Sequence, residues 1–238
     1  MITLEYLFKL SDGRQKTFAV RVSGSSLELA PSTSPPFPAW TRLGFHQCPG
    51  CPLKEEVYPH CPVAVGLIEA VEFFSNGVSH DEADITVRGP HREYRKRAPL
   101  QEAVSSLMGL HMVTSGCPVM DKLRPMAYTH LPFATMDETL YRAMSMYLLA
   151  QFLLARRGHK PDWELKGLVR IYDAVSAVNR AFGVRIRNIN TNDANLNALA
   201  GLDCFAGSNS MSISREYLSV LEKMFGAYLS ELPPPAGN

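Results

Sequence analysis

Four of the five cysteines stand directly before a proline, and this restricts where each can lie. Proline lacks a backbone N–H and holds φ fixed, so it suits loops and the first position of a helix, not a helix interior or a central strand. Cys48 and Cys51 fall in FHQCPGCPL, Cys61 in HCPVA and Cys117 in SGCPVM. Each thiol is therefore expected in a loop or at a helix start. Cys61 and Cys117 are each followed by helical sequence. There the positive end of the helix dipole favours thiolate, the form that binds metal.

The spacing is C-x2-C, then nine residues, a third Cys, 55 residues and a fourth. Structural zinc commonly uses two C-x2-C knuckles, or one with a paired histidine motif. Iron–sulfur sites accept scattered ligands, and one ferredoxin pattern places proline after a ligand. The expectation is a metal centre on Cys48, Cys51, Cys61 and Cys117, with an iron–sulfur cluster of the 4Fe-4S type favoured over Zn2+. A third reading, thiol–disulfide exchange by Cys48 and Cys51, calls for a strand before the motif and a helix after it. A proline-rich arm, APSTSPPFPAW, precedes it instead. Cys204, in GLDCFAG, is expected to be an inert core residue. His46 and His60 lie beside the cysteines in sequence and are candidate donors behind the ligands. His111 falls on an apolar helical stripe and is expected in the core, and His130 is expected to cap a turn.

The remaining pattern is α+β: a mainly α-helical bundle of about six helices with a small N-terminal antiparallel β element and a cysteine-bearing loop region. ITLEYLFKL and QKTFAVRVS flank Asp12-Gly13, a hairpin turn signal. The helix opened by Cys61-Pro62 carries Ala64, Leu67, Ile68, Val71 and Phe74 on one face, and Asn76-Gly77 ends it. ADITVRGPHREYRKRA reads as a second hairpin turning near Gly89-Pro90. From Pro99 onward helices dominate. One has a stripe of Leu100, Val104, Leu107, Met108 and His111, stopped by Gly116. A short one after Cys117-Pro118 must kink or end at Pro125. A long one is opened by the capping box Thr135/Glu138. Another long one is expected over DWELKGLVRIYDAVSAVNRAF, a shorter one is capped by Thr191 or Asn192, and one closes the fold. A single domain over 1–238 is expected: hairpin 1–30, Pro/Cys loop 31–60, helix plus hairpin 61–98, helical bundle 99–231 and a frayed tail 232–238.

At 238 residues the chain is long enough to bury a core without cross-links. Its net charge of +1 gives no global field toward nucleic acid or acidic membranes. No apolar run approaches a spanning helix, and the first residues show no basic leader before an apolar run. The expected address is the cytoplasm, where thiols stay reduced and clustered cysteines point to metal or redox chemistry. Arg92, Arg95, Lys96 and Arg97 form a basic strand, a candidate patch for an anion or a protein partner, though such runs also guard a sheet edge. Nucleic acid is not the expected partner; an unidentified protein or redox partner is. No phosphate-binding loop, G-x-S-x-G or H-E-x-x-H occurs, so no catalytic residue is assigned.

With HQCPGCPL, CPVA, SGCPVMDKLRPMAYTHLPFAT and DANLNAL together, the chain resembles an uncharacterised bacterial family, a domain of unknown function. The resemblance runs from the first hairpin to the last helix. It implies a bacterial cytoplasmic protein whose signature is Cys48, Cys51, Cys61 and Cys117, with Cys204 outside it. It brings no activity, cofactor or substrate.

Overall fold

Alternating side chains build the sheet. In β1 (Ile2–Leu10) and β2 (Gln15–Val22) the inward positions are Tyr6 and Phe8, then Phe18, Val20 and Val22. The Asp12-Gly13 turn joins them, with Gly13 at φ +88°, where a side chain would be strained. β3 (Glu82–Arg88) and β4 (Glu93–Pro99) form the second hairpin. The two hairpins merge into one antiparallel sheet of order β2-β1-β3-β4, with Tyr6 opposite Val87. The basic strand β4 is an edge. This computed structural model describes residues 1–30, 35–189, 192–211 and 215–231.

One face of the sheet is covered by helices. The stripe from Ala64 to Phe74 is buried as expected, but it belongs to two short helices, α1 (Pro62–Gly66) and α2 (Ile68–Phe73), with a break at Leu67. Gly66, a poor helix former, closes the first. Phe74 meets Phe8 and Phe18 at ring-centroid distances of 4.9 and 5.5 Å. In α3 (Leu100–Thr114) every residue of the expected stripe is buried, and Gly116 follows at φ +84°. The segment after Cys117-Pro118 is 3-10 helix over Met120–Ala127, ending just past Pro125. Proline removes one α-type bond there, and the tighter winding accommodates it.

The capping box is formed at the start of α4 (Met136–Ala155): Glu138 N–H donates to Thr135 Oγ1 at 3.2 Å, and Thr135 N–H donates to Glu138 at 2.8 Å. α5 (Lys166–Arg187) packs along α6 (Asp193–Met211), which also lies on α3. α7 (Arg215–Met224) and α8 (Gly226–Leu229) follow. The Asn-rich start of α6 is an anchor. Asp193 accepts from the Ser79 N–H and hydroxyl, both at 2.9 Å, and Asn195 donates to the Val71 carbonyl at 3.0 Å. Of the two expected caps, Thr191 lies outside the described residues, as do the tail 232–238 and part of the proline arm.

Candidate metal centre

The cysteine loop is built on a short antiparallel closure. Leu43 N–H donates to the Pro59 carbonyl at 2.9 Å and Cys61 N–H to the Thr41 carbonyl at 2.8 Å, so the chain on either side of 44–58 is clamped together. Within the loop, Cys48-Pro49-Gly50-Cys51 is a tight turn. Cys51 N–H donates to the Cys48 carbonyl at 3.1 Å, and Gly50 has φ +70°. Proline followed by a positive-φ glycine is what a type II turn requires. Cys61 is the N-cap of α1 with Pro62 at the first helical position, as the sequence indicates. Cys117 sits just before the 3-10 segment, where the Val119 and Met120 N–H groups point at its sulfur.

These four free thiols come from three separate segments, yet they share one neighbourhood. Charge on Cys61, Cys117 and Cys51 is felt at Cys48, and charge on Cys61 and Cys51 is felt at Cys117. Cys117 is buried and the other three are half-buried. Burial pushes the Cys48 thiol up to about 12, with smaller pushes from the other cysteines. The expectation that a helix start would favour thiolate at Cys117 is corrected here. The two N–H groups act in that direction, but burial outweighs them and the pKa is raised. Among the described residues, no three His, Cys, Asp or Glu side chains stand as a group that could hold a metal ion.

The residue that sequence reasoning missed is Arg185. It is 2% exposed and reaches the thiols from α5. One terminal nitrogen donates to the Trp40 and Arg42 carbonyls, both at 2.7 Å, and the other to the Leu43 carbonyl at 3.2 Å. It thus pins the base of the cysteine loop. Among the described residues no carboxylate pairs with it; the negative charge it would feel is that of Cys61, Cys48 and Cys51. A signal existed: Arg185 lies on the buried stripe of Val178, Phe182 and Ile186, where a charge is out of place.

The other candidates fall out differently. His60 is half-buried, its Nδ1 sharing a hydrogen bond with Thr41 Oγ1 at 2.7 Å, so it braces the loop closure. His46 is exposed, edge-on to Phe45. Cys204 is exposed, which corrects its expected burial: it stands off the buried face of α6 marked by Ala194, Ala198 and Leu199. His111 is buried as expected, and burial alone lowers it to about 4. His130 does more than cap a turn. Its Nε2 bonds the buried Tyr6 hydroxyl, which also meets Ser106 Oγ at 2.9 Å. The basic strand is largely neutralised by acids. Arg95 pairs with Glu93 at 2.6 Å, Lys96 with Glu102, and Arg97 with Glu82 at 3.7 Å; Arg92 has no such pair among the described residues.

No helix among the described residues is long and apolar enough to cross a membrane. No curated protein and no solved structure matches the chain. Residues 3–226 match the model of the family described as Domain of unknown function (DUF6901), and the chain belongs to that family.

Proposed function

We propose that the chain holds a thiolate-bound metal centre on Cys48, Cys51, Cys61 and Cys117, an iron–sulfur cluster used for electron transfer or for sensing oxygen or iron. The observation that carries this reading is Arg185. A buried guanidinium is costly unless negative charge lies near it, and the groups whose negative charge would favour it are the thiols Cys61, Cys48 and Cys51, of which burial pushes Cys48 up to about 12. A bound cation would reverse that, since a coordinating thiol is deprotonated outright. Four thiolates around a cluster leave a net negative charge, which Arg185 would partly offset.

The scattered ligand spacing along the chain, one C-x2-C pair and two single cysteines, supports a cluster over a single ion. Zinc with Zn–S bonds of about 2.3 Å needs its four sulfurs within roughly 4 Å of one another. A cluster fills the space between its ligands with its own iron and sulfide. Zinc holding the loop to the bundle as an interaction module is the second reading, favoured by the tight Cys48–Cys51 turn. The reducing cytoplasm is the compartment that suits either, with a redox or other protein partner.

The test is an absorption spectrum with elemental analysis on protein purified without oxygen. A broad band near about 400 nm with about four irons per chain supports the cluster. A colourless protein with about one zinc supports the second reading. Absence of metal, with the thiols free, overturns both and leaves thiol exchange by Cys48 and Cys51. Cys117→Ser should lose the metal and Cys204→Ser should keep it.

A further inference from the structure

A second site lies away from the cysteines. An open pocket of about 670 Å³ is bordered by α3, the 3-10 segment, α4, α5 and α6. That is the size of a small-molecule pocket. Its walls are mainly apolar, including Val113, Leu123, Phe133, Val175, Leu202 and Phe205, and the exposed Ala200 and Cys204 stand at its rim. A few polar groups interrupt this lining. Arg142 donates from one terminal nitrogen to the Met126 carbonyl at 2.9 Å, while its buried Nε has no partner. No carboxylate pairs with it among the described residues. Glu138, one turn earlier on α4, is held by the Thr135 N–H and hydroxyl. Asn179 is 3% exposed and its Oδ1 is likewise unpaired. It lies two turns beyond Tyr172 on the same face of α5, roughly 10 Å along the axis.

Both residues line a space the protein does not fill, and Arg142 brings to it a cation with only one carbonyl bond among the described residues. We propose that this cavity binds an apolar-tailed carboxylate of the fatty-acid class, its head on Arg142 and its tail along Val175 and Leu202. The planar guanidinium fork matches a carboxylate. The head is a monoanion: Arg142 is the cation at this end, and His130 beside it is engaged with Tyr6. A doubly charged phosphate ester would leave one charge unmatched in a desolvated site. The flexible methionines of the lining, Met120 and Met126 among them, adapt to tails of differing shape.

Calorimetric titration of dodecanoate and of dodecanol into the full chain tests this. Dodecanoate should bind one per chain, with dodecanol weaker by about tenfold or more, the worth of a charge-assisted contact. Arg142→Gln, which removes the charge and the guanidinium fork, should weaken dodecanoate by about the same factor and leave dodecanol unchanged. Val175→Trp, which puts an indole across the tail's path, should weaken both. Failure of the native chain to bind dodecanoate, or binding that Arg142→Gln leaves intact, overturns the proposal. A readout needing no variant is the side-chain NMR signals of His130 and Asn179. They should shift on adding dodecanoate, and unmoved signals overturn the proposal. The metal content of the chain has no part in either measurement.

Discussion

Two guanidiniums are drawn into this molecule without a carboxylate partner among the described residues, and they are treated differently. Arg185 reaches three backbone carbonyls of the segment below the cysteine loop. The Arg42 carbonyl also accepts from the Phe45 N–H at 3.1 Å, and the arginine adds donors there and to the Trp40 and Leu43 carbonyls. Arg142 meets one carbonyl and leaves its Nε unpaired at the wall of a cavity. The first is a strut whose charge also faces thiols; the second holds donors in reserve. Where a buried charge places its hydrogen bonds separates a group that holds the fold from one available to a ligand.

The sharpest way to break this contrast is Arg185→Met. It removes three hydrogen bonds, leaving the Arg42 carbonyl only its bond from Phe45, and frees the loop base from α5, and the loss should be about 3–5 kcal/mol of unfolding free energy. Urea denaturation checks it. Arg185→Lys, which keeps the charge but not the fork, should recover only part. A cost below about 1 kcal/mol would mean that the loop is held by its own closure at Thr41 and Cys61, and that Arg185 has no structural role.

Much of the architecture was written locally. Asp12-Gly13, the Thr135/Glu138 box and Cys61-Pro62 each encode a turn or a cap within a few residues, and each forms as expected. The merger of the hairpins was not legible, because pairing Tyr6 with Val87 depends on which strand edges meet after the helices collapse. The break at Leu67 was hidden too, since the apolar stripe runs through it unbroken. At the candidate centre the cysteines were legible from proline alone. Arg185 was not sought, though its place on an apolar stripe marked it. Cys204 was misplaced because one small residue on a helix carries little periodicity, and α6 has apolar side chains on more than one face.

Acid should reveal the next difference. His111 and His130 are buried and held neutral, lowered from 6.5 to about 4 and about 3, chiefly by desolvation. The unfolded chain therefore takes up protons that the folded chain refuses, and stability rises with pH in that window. Their contribution is complete above about pH 6.5 and is lost as pH falls toward 4, at up to about 1.4 kcal/mol per pH unit for each histidine. Between pH 6.5 and 5 the carboxylates remain ionised and contribute little. Urea midpoints across that range should fall as pH falls. His111→Phe should flatten the slope by about half, because its unpaired Nδ1 forfeits no hydrogen bond. A flat profile in the native chain would mean that both rings reach water.

The smallest expected effect is the most discriminating. Arg142→Gln should change stability by less than about 1 kcal/mol. The arginine forgoes hydration for a single carbonyl bond, so losing that bond together with the charge costs little. The same change removes a positive charge that presses on His130. His130 should then bind a proton at slightly higher pH, and the acid-sensitive window should narrow from its lower end, since a folded-state pKa closer to 6.5 leaves less stability to lose. Imidazole NMR titration reads that shift directly. A loss of more than about 2 kcal/mol in Arg142→Gln would make Arg142 a strut of the same kind as Arg185. The unpaired Nε would then be a by-product of packing, and the distinction between the two arginines would fall.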